Sequence, residues 1–124
     1  MYVPENSGPH PPEMRVFLLI SVNRKDLFMA LFVVQHRHNP DSCPASDPIM
    51  APLLLAQLSE QNARRLGVAI RSEAVVNGAH TLYLTVEAAN RESVERLMKP
   101  FAEVGTIEIQ AASHCEAVVE RGGC

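Results

Sequence analysis

Phe28-Met29-Ala30-Leu31-Phe32-Val33-Val34-Gln35-His36-Arg37-His38-Asn39-Pro40-Asp41-Ser42-Cys43-Pro44 joins two different chemistries in one run. Its first half is continuous β-branched, aromatic and aliphatic residue, the profile of a central strand covered on both faces. Its second half sets His36 and His38 two residues apart, then Asp41 and Cys43 in a loop bounded by prolines. A strand therefore delivers several potential ligands to one end of a sheet. What those ligands meet depends on the elements that follow.

Downstream, Asp47-Pro48 combines an N-cap acceptor with a proline suited to the first helical position. Pro52 interrupts that helix early, and Ser59 with Glu60 opens a second short piece that ends near Gly67. Leu54, Leu55, Leu58, Ala63 and Leu66 form its predicted buried stripe. Two strands follow, Val68 to Val76 and His80 to Glu87, linked by Asn77-Gly78-Ala79, since Asn-Gly between β-rich runs signals a hairpin. Asn90 caps a helix in which Val94, Leu97, Met98 and Phe101 recur at i, i+3, i+4 and i+7, with Pro100 limiting its far end. Val104 to Ala111 alternates as a fourth strand. Ser113-His114-Cys115-Glu116 has the pattern of a capping box before a final short helix that Gly122-Gly123 terminates.

The order β-α-β-β-α-β predicts an α+β, ferredoxin-like domain: a four-stranded antiparallel sheet, helices on one face, and a homodimer through the sheets. Crossover rules place strand one between strands three and four, antiparallel to both. Domain boundaries are read as 1–28 for an N-terminal extension, 29–121 for the domain and 122–124 for a flexible tail. The extension is rich in Pro4, Pro9, Pro11 and Pro12 and cannot join a core. Residues 14–22 are apolar enough for an added edge strand, yet Asn23-Arg24-Lys25-Asp26 stands where a signal peptide would need small residues. Arg24-Lys25-Asp26 can be encoded by a purine run resembling a ribosome-binding site, which raises the hypothesis of a native start at Met29. N-terminal sequencing that finds Met1 or Tyr2 would end it.

Composition narrows the function classes. The 124 residues are 47% hydrophobic and 20% charged, with a net charge of −3, so no basic footprint for nucleic acid or anionic lipid exists. Aromatic residues make up 5%, with no Trp, too few for a base-stacking platform. Three cysteines without a CxxC argue against a secreted disulfide framework and favour a cytoplasmic setting. No run is long enough to span a membrane.

The element order, His36-Arg37-His38 and the hairpin return Gly78-Ala79-His80-Thr81-Leu82-Tyr83 together resemble a group of small bacterial proteins of ferredoxin-like, dimeric α+β-barrel fold. The resemblance spans residues 29 to 120. That group includes uncharacterised domains with an H-x-H strand end and a nickel-binding branch. It also includes small-molecule monooxygenases, isomerases and heme-handling proteins, so fold alone selects no function.

Topology gives the histidines neighbours. His36 and His38 share a face by the period of two, and His80 opens the strand paired with that end, with cross-strand Cβ atoms about 5 Å apart. His36, His38, His80 and Cys43 form the predicted ligand set, suited to Ni, Zn or Cu. Parity groups His80 with Leu82, Leu84 and Val86, which sets its facing against the strand-one pair. Histidines at a strand end also suit solvent exposure or hydrogen bonding, and Cys43 alone suits a small buried hydrophobe.

Two further constellations stand beside this one. His114-Cys115 at a helix start has the features of an activated thiol, although neighbours on a helix point apart. Arg71, Glu73, Thr81, Tyr83, Thr85, Glu108 and Gln110 form a polar sheet face. This face fits a dimer interface, or a cavity for a small apolar ligand in a monooxygenase- or isomerase-type enzyme. A non-catalytic ligand-sensing module is the third class. No phosphate-binding loop or nucleophile elbow is present.

Overall fold

A computed structural model describes residues 29–124. The expectations for the N-terminal extension, the edge strand at 14–22 and the alternative start lie outside these residues, save Met29 itself. Four strands, β1 Ala30–Arg37, β2 Val68–Val76, β3 Thr81–Ala88 and β4 Thr106–Ala112, form one antiparallel sheet in the order β2-β3-β1-β4. Four helices accompany it: α1 Met50–Gln57, α2 Glu60–Arg65, α3 Arg91–Ala102 and α4 Cys115–Arg121. The strand order fits the ferredoxin-like arrangement predicted from the β-α-β-β-α-β pattern.

Local chemistry accounts for most boundaries. The Asp47 carboxylate accepts hydrogen bonds from the Ile49 and Met50 N–H groups at 2.8 and 2.9 Å, and these donors hold its pKa below the usual carboxylate value. Pro52 falls in the first turn of α1, where no intrahelical N–H is lost. Ser59 accepts from Asn62 N–H to start α2, and Asn90 accepts from Ser93 N–H to start α3. Gly67 closes α2 with φ near +80°, a backbone region that glycine enters without steric cost.

The core lies on one side of the sheet. Phe32, Val34, Leu84, Val86, Ala88 and Ile109 meet Leu54, Ala63, Val94, Leu97, Met98 and Phe101, all buried. The other face of β1, carrying Leu31, Val33 and Gln35, is only half-buried, so the strand is fully covered on one side rather than two.

Three local expectations are corrected. Leu55 is 71% exposed, because the α1 helix places it away from the face that Leu54 presents to the core. A bulge between Ile70 and Ser72 shifts the parity of β2, so Ser72 and Ala74 pair with Thr85 and Tyr83, and Glu73 pairs with Leu84. Glu73 therefore leaves the face that holds Tyr83. Finally, α4 has His114 rather than Ser113 at its N-cap, with no side-chain cap bond; the Ser113 hydroxyl instead accepts from Arg121 at 3.0 Å.

Candidate metal centre

The register that buries the core also assembles the histidines. His36 pairs with Leu82 on one side and Ile107 on the other, and Arg37 pairs with Thr81 and Thr106. His36 thus faces the helix layer with Phe32 and Val34, and is 2% exposed. One step beyond the strand, the His38 N–H donates to the His80 carbonyl at 3.2 Å, extending the β1–β3 ladder by one rung.

His80 lies in the turn rather than at the start of the strand. The connection runs from Asn77 to His80, with Ala79 N–H donating to the Val76 carbonyl at 3.1 Å and Val76 paired with Thr81. Gly78 and His80 both take positive φ, +76° and +51°. His80 is the one non-glycine residue with positive φ among the described residues, a left-handed conformation that costs a side chain about 1–2 kcal/mol. The β1–β3 register continues past the strand ends, so His80 lies opposite His38 as Leu82 lies opposite His36, and the two rings meet. The facing conflict raised by Leu82 and Leu84 does not arise, because His36 itself faces the helix layer with them.

The loop that leaves β1 adds the thiol. Cys43 sits between two short 3-10 turns, Pro40–Ser42 and Pro44–Ser46. Its carbonyl accepts from the Ser46 N–H and hydroxyl at 3.3 and 2.9 Å. Asn39 caps the first turn by accepting from the Asp41 N–H at 3.0 Å. Asp41 itself is exposed. Two prolines and these side-chain bonds hold the loop close to the strand end.

The result is a group of three donors. One ligand atom each from His38, Cys43 and His80 lies within 4.8 Å of the other two, and all three residues are half-buried. His38 Nε2 and His80 Nδ1 are 3.2 Å apart. Two nitrogens each about 2.0–2.1 Å from a tetrahedral ion stand about 3.3 Å apart, and a thiolate at about 2.3 Å stands about 3.5 Å from each. The imidazole pair already has that spacing, and Cys43 needs a closing of at most about 1.3 Å by the same geometry. The 3.2 Å separation also suits a hydrogen bond between two neutral imidazoles. His36 stands outside the group of three, with its ring centroid 5.5 Å from that of His38 and edge-on to Phe101 at 5.3 Å.

Electrostatics favour neutral rings. Burial pushes the His36 pKa below its usual value, and a charge on His38 would push it further, while the Phe101 and Val104 carbonyls oppose the shift. His38 is lowered by burial and then by His80. Neutral imidazoles are the form that binds metals.

The other constellations lie elsewhere. Thr81, Tyr83, Thr85, Glu108 and Gln110 alternate with the core-facing residues, so Tyr83 lies on the opposite face of the sheet from His36. The Arg71 guanidinium pairs with Glu87 at 2.6 Å, and the His114 ring lies 3.4 Å from the same carboxylate. These contacts hold the Glu87 pKa below its usual value, the Arg71 hydrogen bond contributing most. Cys115 and Cys124 are exposed free thiols. His114 and Cys115 follow β4, whose Ala112 pairs with Leu31 at the far end of β1 from His36, as the topology predicts. No helix of the described residues is long and apolar enough to cross a membrane.

Of the four ligand candidates in the sequence, His36, His38, His80 and Cys43, the structure brings the last three together. The sequence had no signal for Gly105. A Cβ there would stand 2.6 Å from His36 Nε2 and overlap the Arg37 carbonyl. Comparison with protein-family models, curated proteins and solved structures finds no match to this chain.

Proposed function

We propose that this domain binds a transition-metal ion, Ni, Zn or Cu, through His38, Cys43 and His80. The observation that carries the reading is the convergence of two imidazoles and a thiol, from three separate segments, to within 4.8 Å. Two neutral nitrogens and one thiolate suit borderline and soft ions rather than Mg²⁺ or Ca²⁺. Three protein donors leave a tetrahedral ion one position for water or an exogenous ligand. The left-handed backbone at His80 is consistent with a residue kept for its side chain, because local strain concentrates at functional positions.

Metal content of untagged protein, measured with its native mass, tests the reading. Stoichiometric Ni, Zn or Cu is expected as isolated or after loading, and Cys43→Ser, His38→Ala and His80→Ala should each lower occupancy. A parent protein that neither contains nor takes up any of these ions would overturn it. Unchanged occupancy in all three variants would place the ion elsewhere.

A further inference from the structure

Among the described residues, two buried side-chain polar atoms have no hydrogen-bond partner: His36 Nε2 and His38 Nδ1. They belong to rings whose centroids are 5.5 Å apart and whose planes are tilted by 33°. An orphaned buried polar atom destabilises the fold, and an apolar side chain of similar shape removes that cost. Position 36 would accept one, since it pairs with Leu82 and Ile107 and packs on Phe101. A Cβ at 105 would meet both the Arg37 carbonyl and His36 Nε2, so the glycine there serves the backbone crossing and leaves room for the imidazole as well.

Metal ligation gives the two orphans complementary roles. A histidine that binds an ion through Nε2 carries its proton on Nδ1, and that N–H is normally held by an outer partner that fixes the ring and its tautomer. His38 Nε2 is the nitrogen directed at His80, which leaves His38 Nδ1 as the donor. We infer that His36 is a positioning residue of the metal centre, its Nε2 accepting from His38 Nδ1–H. The contact forms directly after rotation of the rings or across one water, which bridges a donor and an acceptor about 4.5–5 Å apart. This inference rests on the metal reading above.

The test uses the full untagged chain, Zn²⁺ as the probe and one fixed pH. His36→Met should fold, with a metal-free thermal midpoint at or above that of the parent. It should bind Zn²⁺ about 10- to 100-fold more weakly, the usual effect of losing an outer partner. His36→Gln restores an acceptor and should recover part of the affinity. In the ¹⁵N-histidine-labelled, Zn²⁺-loaded parent, His38 should be protonated on Nδ1, and His36 should carry its proton on Nδ1 with Nε2 accepting. Parental affinity in His36→Met, a glutamine no better than methionine, or a His36 protonated on Nε2 would each overturn the inference while leaving the metal reading intact. The labelling result decides the matter if His36→Met does not fold. A parent that binds none of Zn, Ni or Cu removes the metal reading and this inference together.

Discussion

At the scale of single residues, His80 and His36 both stand where the fold alone would choose something else. His80 holds a side chain at φ +51°, where glycine would sit without strain. Replacing it with glycine exchanges that strain for greater freedom in the unfolded chain, so the two effects nearly offset. Metal-free His80→Gly is expected to match the parent or exceed it by up to about 1 kcal/mol in denaturant unfolding, while losing metal. A loss of stability well beyond that range would mean that the His80 ring supports the fold. His36 and His38 also set a pH dependence. Both have folded pKa values below their ordinary 6.5, so between the folded and unfolded values the unfolded chain binds more protons. Stability therefore rises with pH through that window and is fully present above about 6.5. It should fall as the pH drops below 6.5, measured by chemical unfolding with a chelator present. His36→Met should flatten part of that slope, and an unchanged profile would contradict the assignment.

At the scale of elements, the β1–β4 contact decides whether the strand end can carry its histidines. Thr106 pairs with Arg37, and Gly105 precedes it with no side chain to strike the Arg37 carbonyl or His36. Gly105→Ala should destabilise the domain by about 1–3 kcal/mol, the range for overpacking a filled site. It should also weaken metal binding, because relief requires moving either β1 or the His36 ring. Unfolding curves of Gly105→Ala coincident with those of the parent would show that this crossing is looser than the geometry implies. The bulge in β2 acts in the same structural way. By shifting parity after Ile70, it sends Glu73 to one face and leaves Arg71 to reach Glu87 on the other.

For the whole molecule, the sheet has one buried face and one that is half-open. Tyr83, Thr85, Glu108 and Gln110 lie on the open side, where Ser72 and Thr85 share a hydrogen bond at 2.6 Å. The expectation for this face is a homodimer through the sheets. A native mass of twice 13.6 kDa would agree, lowered to one chain by a charge introduced at Tyr83, such as Tyr83→Lys. A single-chain mass at high concentration would remove the expectation. Because the three donors lie beyond the strand end and within one chain, metal occupancy should not change with concentration across any monomer–dimer transition.

Element order, caps and core stripes were legible in the chain because they are local. Ser59 and Asn90 cap helices, and Asp47 holds the turn that leads into α1, through bonds that span two or three residues, and Val94, Leu97, Met98 and Phe101 share a face by helical period alone. The ligand candidates were also legible as residue types at the end of a strand. Tertiary structure decided which of them meet. His38 and His80 lie 42 positions apart in the sequence, and their approach depends on the β1–β3 register, on β1 lying between β3 and β4, and on a turn one residue longer than its Asn-Gly signal implied. That last residue holds His80 in a left-handed backbone opposite His38, a consequence of hairpin closure that no local pattern encodes. The space for His36 Nε2 likewise involves a glycine just before another strand, Gly105 ahead of β4. Periodicity records what each segment prefers, and only packing fixes which segments share an end.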